Sequence, residues 1–140
     1  MKIDHIGYAV KNIEKAVIDF TKLGFVFESP VEDTDRNVKL AFGKNGNYCI
    51  ELVSTLNKDN PSPVDLHLTK LGATPYHICY SSDSLEKDIE NLKSQGFKEV
   101  IPPHKAIAFD NKRVVFMSKL SMGLLEIVEN EKNNEVNHNG

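Results

Sequence analysis

The 140-residue chain lacks the features that mark several protein classes. It has no excess of positive charge: seventeen Lys and Arg stand against twenty Asp and Glu, a net charge of −3. That excludes a nucleic-acid binder relying on a basic surface. No stretch approaches the ~20 consecutive apolar residues of a membrane helix, so no membrane segment is expected. The N-terminus, Met1-Lys2-Ile3-Asp4-His5, lacks the charged-then-apolar pattern of a signal peptide. Two cysteines, Cys49 and Cys79, are too few for a disulfide scaffold and read as reduced thiols of a cytoplasmic protein. What is present is an ordinary globular mixture, 40% hydrophobic and 26% charged. The length suits one domain with its own core.

The chain repeats itself. His5-Ile6-Gly7-Tyr8 recurs as His77-Ile78-Cys79-Tyr80, an offset of 72, and Gly24-Phe25 recurs at the same offset as Gly96-Phe97. Seven of the 21 positions from 5 to 25 are identical at that offset. Later segments match at an offset of 75, where Glu51-Leu52-Val53 pairs with Glu126-Ile127-Val128 and Lys44 with Lys119. The three extra residues are expected between 98 and 113, where Pro102-Pro103 announces a loop. Two amphipathic helices could resemble each other by chance, but that does not explain His, Tyr and Gly-Phe keeping their spacing outside the helix.

Each half reads as βαβββ, giving an α+β fold. Residues 3–10 are apolar and short enough for a strand. Asn12 then offers an N-cap, Ile13, Ala16, Val17 and Phe20 form one helical face, and Gly24 stops the helix. In the second half Ser84 caps, Leu85, Ile89 and Leu92 make the stripe, and Gly96 stops it. Strands are expected at 26–27, 38–42 and 48–53, then at 98–101, 114–117 and 124–128, with a hairpin turn at Lys44-Asn45-Gly46-Asn47. The expected organisation is one domain over residues 1–129: a module at 1–54, a linker at 55–74 with a short helix at 64–71, and a second module at 75–129. The polar, Asn-rich residues 130–140 are expected to be a disordered tail.

Four polar residues stand in equivalent places inside apolar runs. His5 and His77 lie in the first strands, Glu51 and Glu126 in the last. A charged Glu buried in a strand costs several kcal/mol unless it is paired or coordinated. A lone strand His is usually a hydrogen-bonded core residue, and a lone strand Glu usually faces water. A quartet related by the repeat points instead to one divalent cation held by two imidazoles and two carboxylates. Zn, Ni, Co, Fe or Mn suits that set. By alternation Cys49 shares a face with Glu51, and Cys79 with His77. Small apolar-like filling is the simpler role for both thiols. His67, His104 and His138 read as surface residues; Lys105 and Lys112-Arg113 are cations that could meet an anionic substrate.

Paired βαβββ units carrying His, Glu, His and Glu on the first and last strands resemble the vicinal oxygen chelate superfamily (glyoxalase, bleomycin resistance and extradiol dioxygenase proteins). The resemblance covers residues 1–129. The segments 3–10, 37–42, 62–64, 76–78, 112–116 and 124–128 are most similar to methylmalonyl-CoA epimerase. The resemblance implies two modules forming a half-open barrel around the metal, a small-molecule substrate such as an acyl-CoA or a thiol adduct, and a homodimer. It implies proton abstraction next to a carbonyl through a metal-stabilised enolate, with His5, Glu51, His77 and Glu126 as ligands and Glu126 as base. Asp35 is the nearest match to the epimerases' second acid. The chain departs from the epimerases in carrying Glu51 where they usually have Gln, a feature of bacterial glyoxalase I, and in replacing a Gly-rich segment by 106–111. A glyoxalase I-like lactoylglutathione lyase and a small-molecule binding or resistance protein are therefore the alternatives.

Overall fold

The computed structural model describes residues 1–131. Its described residues form nine strands, three α-helices and one short 3-10 turn, the expected α+β architecture. By contacts the chain divides into two compact units, Asp4–Cys79 and Met1–Ile3 together with Tyr80 onward.

The Asp4–Cys79 unit is built on β1 (Lys2–Ala9), α1 (Ile13–Lys22), β2 (Val26–Phe27), β3 (Val31–Asp33), β4 (Val38–Asn45), β5 (Tyr48–Thr55) and α2 (Asp65–Leu71). Most of β6 (Thr74–Ser82) also belongs to it. Asn12 starts α1 by accepting the Lys15 N–H on its side chain at 2.9 Å, and Gly24 leaves the helix with φ +98°. The strand β5 is parallel to β1, with Gly7 opposite Glu51, and antiparallel to β4, with Phe42 opposite Glu51. Ile50 and Leu52 pack with Val10, Ile13 and Ala41 beneath α1. Each Val, Ile or Leu side chain among them, fully buried, contributes about 1.5–3 kcal/mol. Alternation turns Glu51 and Val53 to the opposite face of the strand. Ile50, Glu51, Leu52 and Val53 are all buried, so both faces of β5 are covered. That double covering explains the near-continuous apolar run around Glu51.

The other unit contains α3 (Leu85–Ser94), β7 (Lys98–Ala106), a 3-10 turn at Ile107–Phe109, β8 (Lys112–Lys119) and β9 (Gly123–Glu129). Leu85 and Ile89 of α3 pack on Phe97, Val115, Met117, Leu125 and Ile127. Phe116 stands opposite Glu126 in the β8–β9 ladder, as Phe42 stands opposite Glu51 in β4–β5.

Several local expectations need correction. The extra strand β3, paired with β4 through Val31 opposite Leu40, makes the first half βαββββ. The expected loop after 101 is strand as far as Ala106. The prolines instead coincide with register shifts in the β7–β8 ladder between Glu99, Ile101 and His104, where a missing N–H is tolerated. Ser84 occupies the N-cap position of α3 but makes no side-chain cap bond. Ser82 ties down the start of the helix in another way: its hydroxyl accepts the Ser84 N–H at 3.1 Å and donates to Asp88. The ladders also relocate the insertion. Matching Phe42 with Phe116 gives an offset of 74, so Ser118 rather than Lys119 holds the place of Lys44. Two of the three extra residues therefore precede β8 and one lengthens the β8–β9 turn. The expected disorder of the tail concerns residues that lie, from 132 on, outside the described ones. No described helix is long and apolar enough to cross a membrane.

Candidate metal centre

Three of the four expected ligands converge within the Asp4–Cys79 unit. His5 comes from β1, Glu51 from β5 and His77 from β6, and all three are buried. His5 Nε2 is 3.5 Å from Glu51 Oε1, His77 Nε2 is 3.8 Å from the same oxygen, and the two Nε2 atoms are 3.4 Å apart. The circle through three atoms so spaced has a radius of about 2.1 Å, the length of a bond from a divalent transition metal to imidazole nitrogen or carboxylate oxygen. Glu51 supplies a second argument. Its Oε2 is buried with no hydrogen-bond partner among the described residues, an arrangement that costs free energy and that a cation would relieve. The residues present fit a metal.

The rings are held by their neighbours. Phe42 meets His5 edge to face at a centroid distance of 5.5 Å, and Tyr76 meets His77 at 4.5 Å. Gly7 makes room for the second histidine: a Cβ on it would lie 2.1 Å from His77 Cε1 and 2.6 Å from Nε2. Only a residue without a side chain lets that ring rest over β1. On the far side of the His5 ring, Nδ1–H donates to Asp4 Oδ2 at 2.8 Å.

Glu126 belongs to the other unit. It is 1% exposed on β9, on the face opposite Leu125 and Ile127, which pack under α3. Like His5, Glu51 and His77, Glu126 is buried and of a residue type that ligates metal ions.

The other candidates differ in their placement. Asp35 is exposed in the turn between β3 and β4, whereas Asp33 beside it is buried and accepts from the Arg36 backbone N–H and Nε at 3.1 Å each. Cys79 is fully buried, with Sγ within 4.8 Å of donor atoms of Asp4 and His5, and Cys49 is half-buried, where desolvation pushes its thiol pKa up. His67 packs against Tyr76 at 5.1 Å, and His104 donates from Nδ1 to the Pro102 carbonyl at 2.9 Å, so neither is a bare surface residue. Arg113 is already committed: its guanidinium pairs with Glu129 at 2.9 Å and with Glu86 at 2.6 Å. Bonds to those two carboxylates push its pKa up. That occupation weighs against a substrate role. Asp4, Gly7 and Phe42 were not singled out from sequence. The one available signal was Gly7 facing Cys79 across the repeat, a departure from identity at a position between matched residues.

Comparison with known proteins agrees with this picture. Residues 4–116 match the model of the Glyoxalase/Bleomycin resistance protein/Dioxygenase superfamily. The uncharacterized protein YqjC of Bacillus subtilis is 30% identical over 120 residues, covering 84% of this chain and 82% of its own. Human mitochondrial methylmalonyl-CoA epimerase is 27% identical over 123 residues, covering 87% of this chain and 69% of its own. A Streptomyces coelicolor methylmalonyl-CoA epimerase, solved in complex with 2-nitronate-propionyl-CoA, superimposes with a TM-score of 0.79 at 20% identity over 94% of this chain and 99% of its own. Sequence match over most of the length and a shared fold lead to one conclusion: the chain belongs to the glyoxalase/bleomycin resistance protein/dioxygenase superfamily.

Proposed function

We propose that the protein is a metal-dependent epimerase or isomerase that removes a proton from a carbon next to a carbonyl, in the manner of a methylmalonyl-CoA epimerase. His5, Glu51, His77 and Glu126 would hold one divalent ion. The observation that carries the reading is the triangle of His5 Nε2, His77 Nε2 and Glu51 Oε1, whose dimensions suit a bound cation. Relatives that bear the epimerase name, and the acyl-CoA analogue in the Streptomyces structure, support an acyl-CoA thioester as the substrate class.

The ion, when bound, supplies a positive charge that polarises a carbonyl and stabilises the negative charge developing on its oxygen as the neighbouring proton leaves. The protein's own groups do the rest. His5 and His77, clamped by Phe42 and Tyr76, fix two neutral donors in position. Glu51 brings negative charge to a buried position beside both imidazoles. Glu126 takes the proton at a carboxylate oxygen as general base. Epimerisation then requires a proton delivered to the opposite face of the carbon, and Asp35, the nearest match to the epimerases' second acid, is the candidate for that role.

A second reading rests on Glu51. A ligand set of two histidines and two glutamates favours glyoxalase I-like chemistry on a thiol–2-oxoaldehyde adduct. The metal-loaded protein distinguishes them when incubated in D2O with a racemic 2-methyl acyl-CoA and, separately, with a glutathione hemithioacetal. Deuterium wash-in at the acyl-CoA without formation of lactoylglutathione supports the epimerase. The opposite result supports the lyase, and neither activity with a fully loaded protein would favour a binding protein.

A further inference from the structure

We infer that Asp4 is a positioning residue: its carboxylate fixes His5 as the Nδ1–H tautomer and thereby turns the Nε2 lone pair toward the metal. The inference rests on the metal reading above but makes a claim of its own about the metal-free protein. Asp4 Oδ2 lies 2.8 Å from His5 Nδ1, a short contact for a nitrogen and a carboxylate oxygen. A carboxylate can only accept, so a hydrogen must sit on Nδ1, and the neutral imidazole that can ligate a metal carries only that one. Nε2 is then the bare nitrogen, and it is the atom that faces Glu51 Oε1 and His77 Nε2.

Without Asp4 the other tautomer becomes attractive. With the hydrogen on Nε2, His5 could donate toward Glu51 Oε1, 3.5 Å away. That form would turn an N–H toward Glu51 Oε1 and withdraw the His5 lone pair from the ion. Asp4 thus selects against an internal competitor of metal binding. Its side chain is 40% exposed while that of His5 is fully enclosed, so it can tie down the ring from the solvent side. The feature is not a by-product of the duplication, because the residue before His77 is Tyr76, which has no carboxylate. Partners that orient ligating histidines in this way are worth about 10–100-fold in metal affinity.

The test compares wild type, Asp4→Ala and Asp4→Asn. Long-range 1H–15N spectra of the imidazoles are recorded on metal-free protein, and Zn2+ affinity is measured by titration calorimetry. In wild type His5 is expected to show a protonated Nδ1 and a bare Nε2. In Asp4→Ala it becomes a mixture, the His77 signals stay put, and Zn2+ affinity falls about 10–100-fold. Asp4→Asn, which keeps a carbonyl acceptor without the charge, falls between, and melting temperatures of the metal-free variants confirm that both fold. A wild-type His5 protonated on Nε2 overturns the inference, as does an Asp4→Ala variant with unchanged tautomer, whatever its affinity. A wild type that takes up no Zn2+ overturns the metal reading, and the tautomer spectra alone then decide the role of Asp4.

Discussion

Replacing Glu51 by leucine distinguishes a metal-binding carboxylate from a structural one by the sign of its effect on stability. The Glu51 side chain is almost wholly enclosed, its Oε2 has no hydrogen-bond partner among the described residues, and the nearby imidazole nitrogens stand 3.5 and 3.8 Å from Oε1. Contacts that long return little of the several kcal/mol that burying a charge costs. A leucine of similar volume, between Ile50 and Leu52 on a strand covered on both faces, removes that cost. Metal-free Glu51→Leu is therefore expected to be more stable than metal-free wild type by about 1–3 kcal/mol. For a chain of this size that corresponds to a rise in Tm of roughly 3–10 °C. Metal reverses the balance: at a free Zn2+ concentration of 100 times Kd the wild type gains about 2.7 kcal/mol and the variant almost nothing. Urea denaturation with EDTA and again with Zn2+ reads both quantities, provided the m-values agree. A Glu51→Leu protein less stable than wild type in EDTA would refute the reasoning, because the carboxylate would then be holding the fold together unaided.

Other expectations follow from the same geometry. Gly7→Ala must drive the His77 ring away from a Cβ contact of 2.1 Å, a shift well beyond the ~0.5 Å that a metal site tolerates. Calorimetry should show Zn2+ affinity down by at least about tenfold, with a loss of about 1–3 kcal/mol in stability from overpacking; wild-type affinity would contradict the placement of that ring. Glu126→Gln should slow deuterium wash-in about 10²–10⁴-fold if Glu126 is the base. Asp35→Asn should slow the same exchange if Asp35 is the second acid, and unchanged exchange would leave it a solvated turn residue. Asp65 has its pKa lowered, first by the Thr55 hydroxyl and then by the Ser62 N–H, from an ordinary value of 3.8. A depressed folded pKa stabilises above the unfolded value and is lost as pH falls through the folded one. Asp65→Asn should therefore remove part of the fall in stability on acidification below pH 4, seen as a flatter acid limb in urea titrations.

What could be read from the sequence was whatever the duplication wrote twice. His5 with His77, the two helices, and the glutamates opposite Phe42 and Phe116 all follow repeated patterns, and buried strands advertise a charged residue by contrast with its neighbours. Features made once were harder to see. The strand β3 is only three residues long, and Val31-Glu32-Asp33 carries no alternation that would announce it. Pro102 and Pro103 look like a loop, yet β7 absorbs them at register shifts, a tertiary compensation that local propensity does not record. Ser84 looks like the cap of α3, but its hydroxyl makes no cap bond, and Ser82 two residues earlier links the helix start to Asp88. Asp4 was missed for a plainer reason. Alternation along a strand directs neighbours to opposite faces, so the residue next to a candidate ligand is the last place to look for its partner.

The central proposal is that His5, Glu51 and His77 hold a metal, with Glu126 as the fourth ligand. Metal content of the purified protein, combined with anomalous diffraction above and below the absorption edge, tests it most directly. The account predicts one divalent transition-metal ion per chain, about 2.0–2.2 Å from both Nε2 atoms and the glutamate oxygens. A well-ordered crystal grown with excess metal that shows no anomalous peak among these side chains would contradict it.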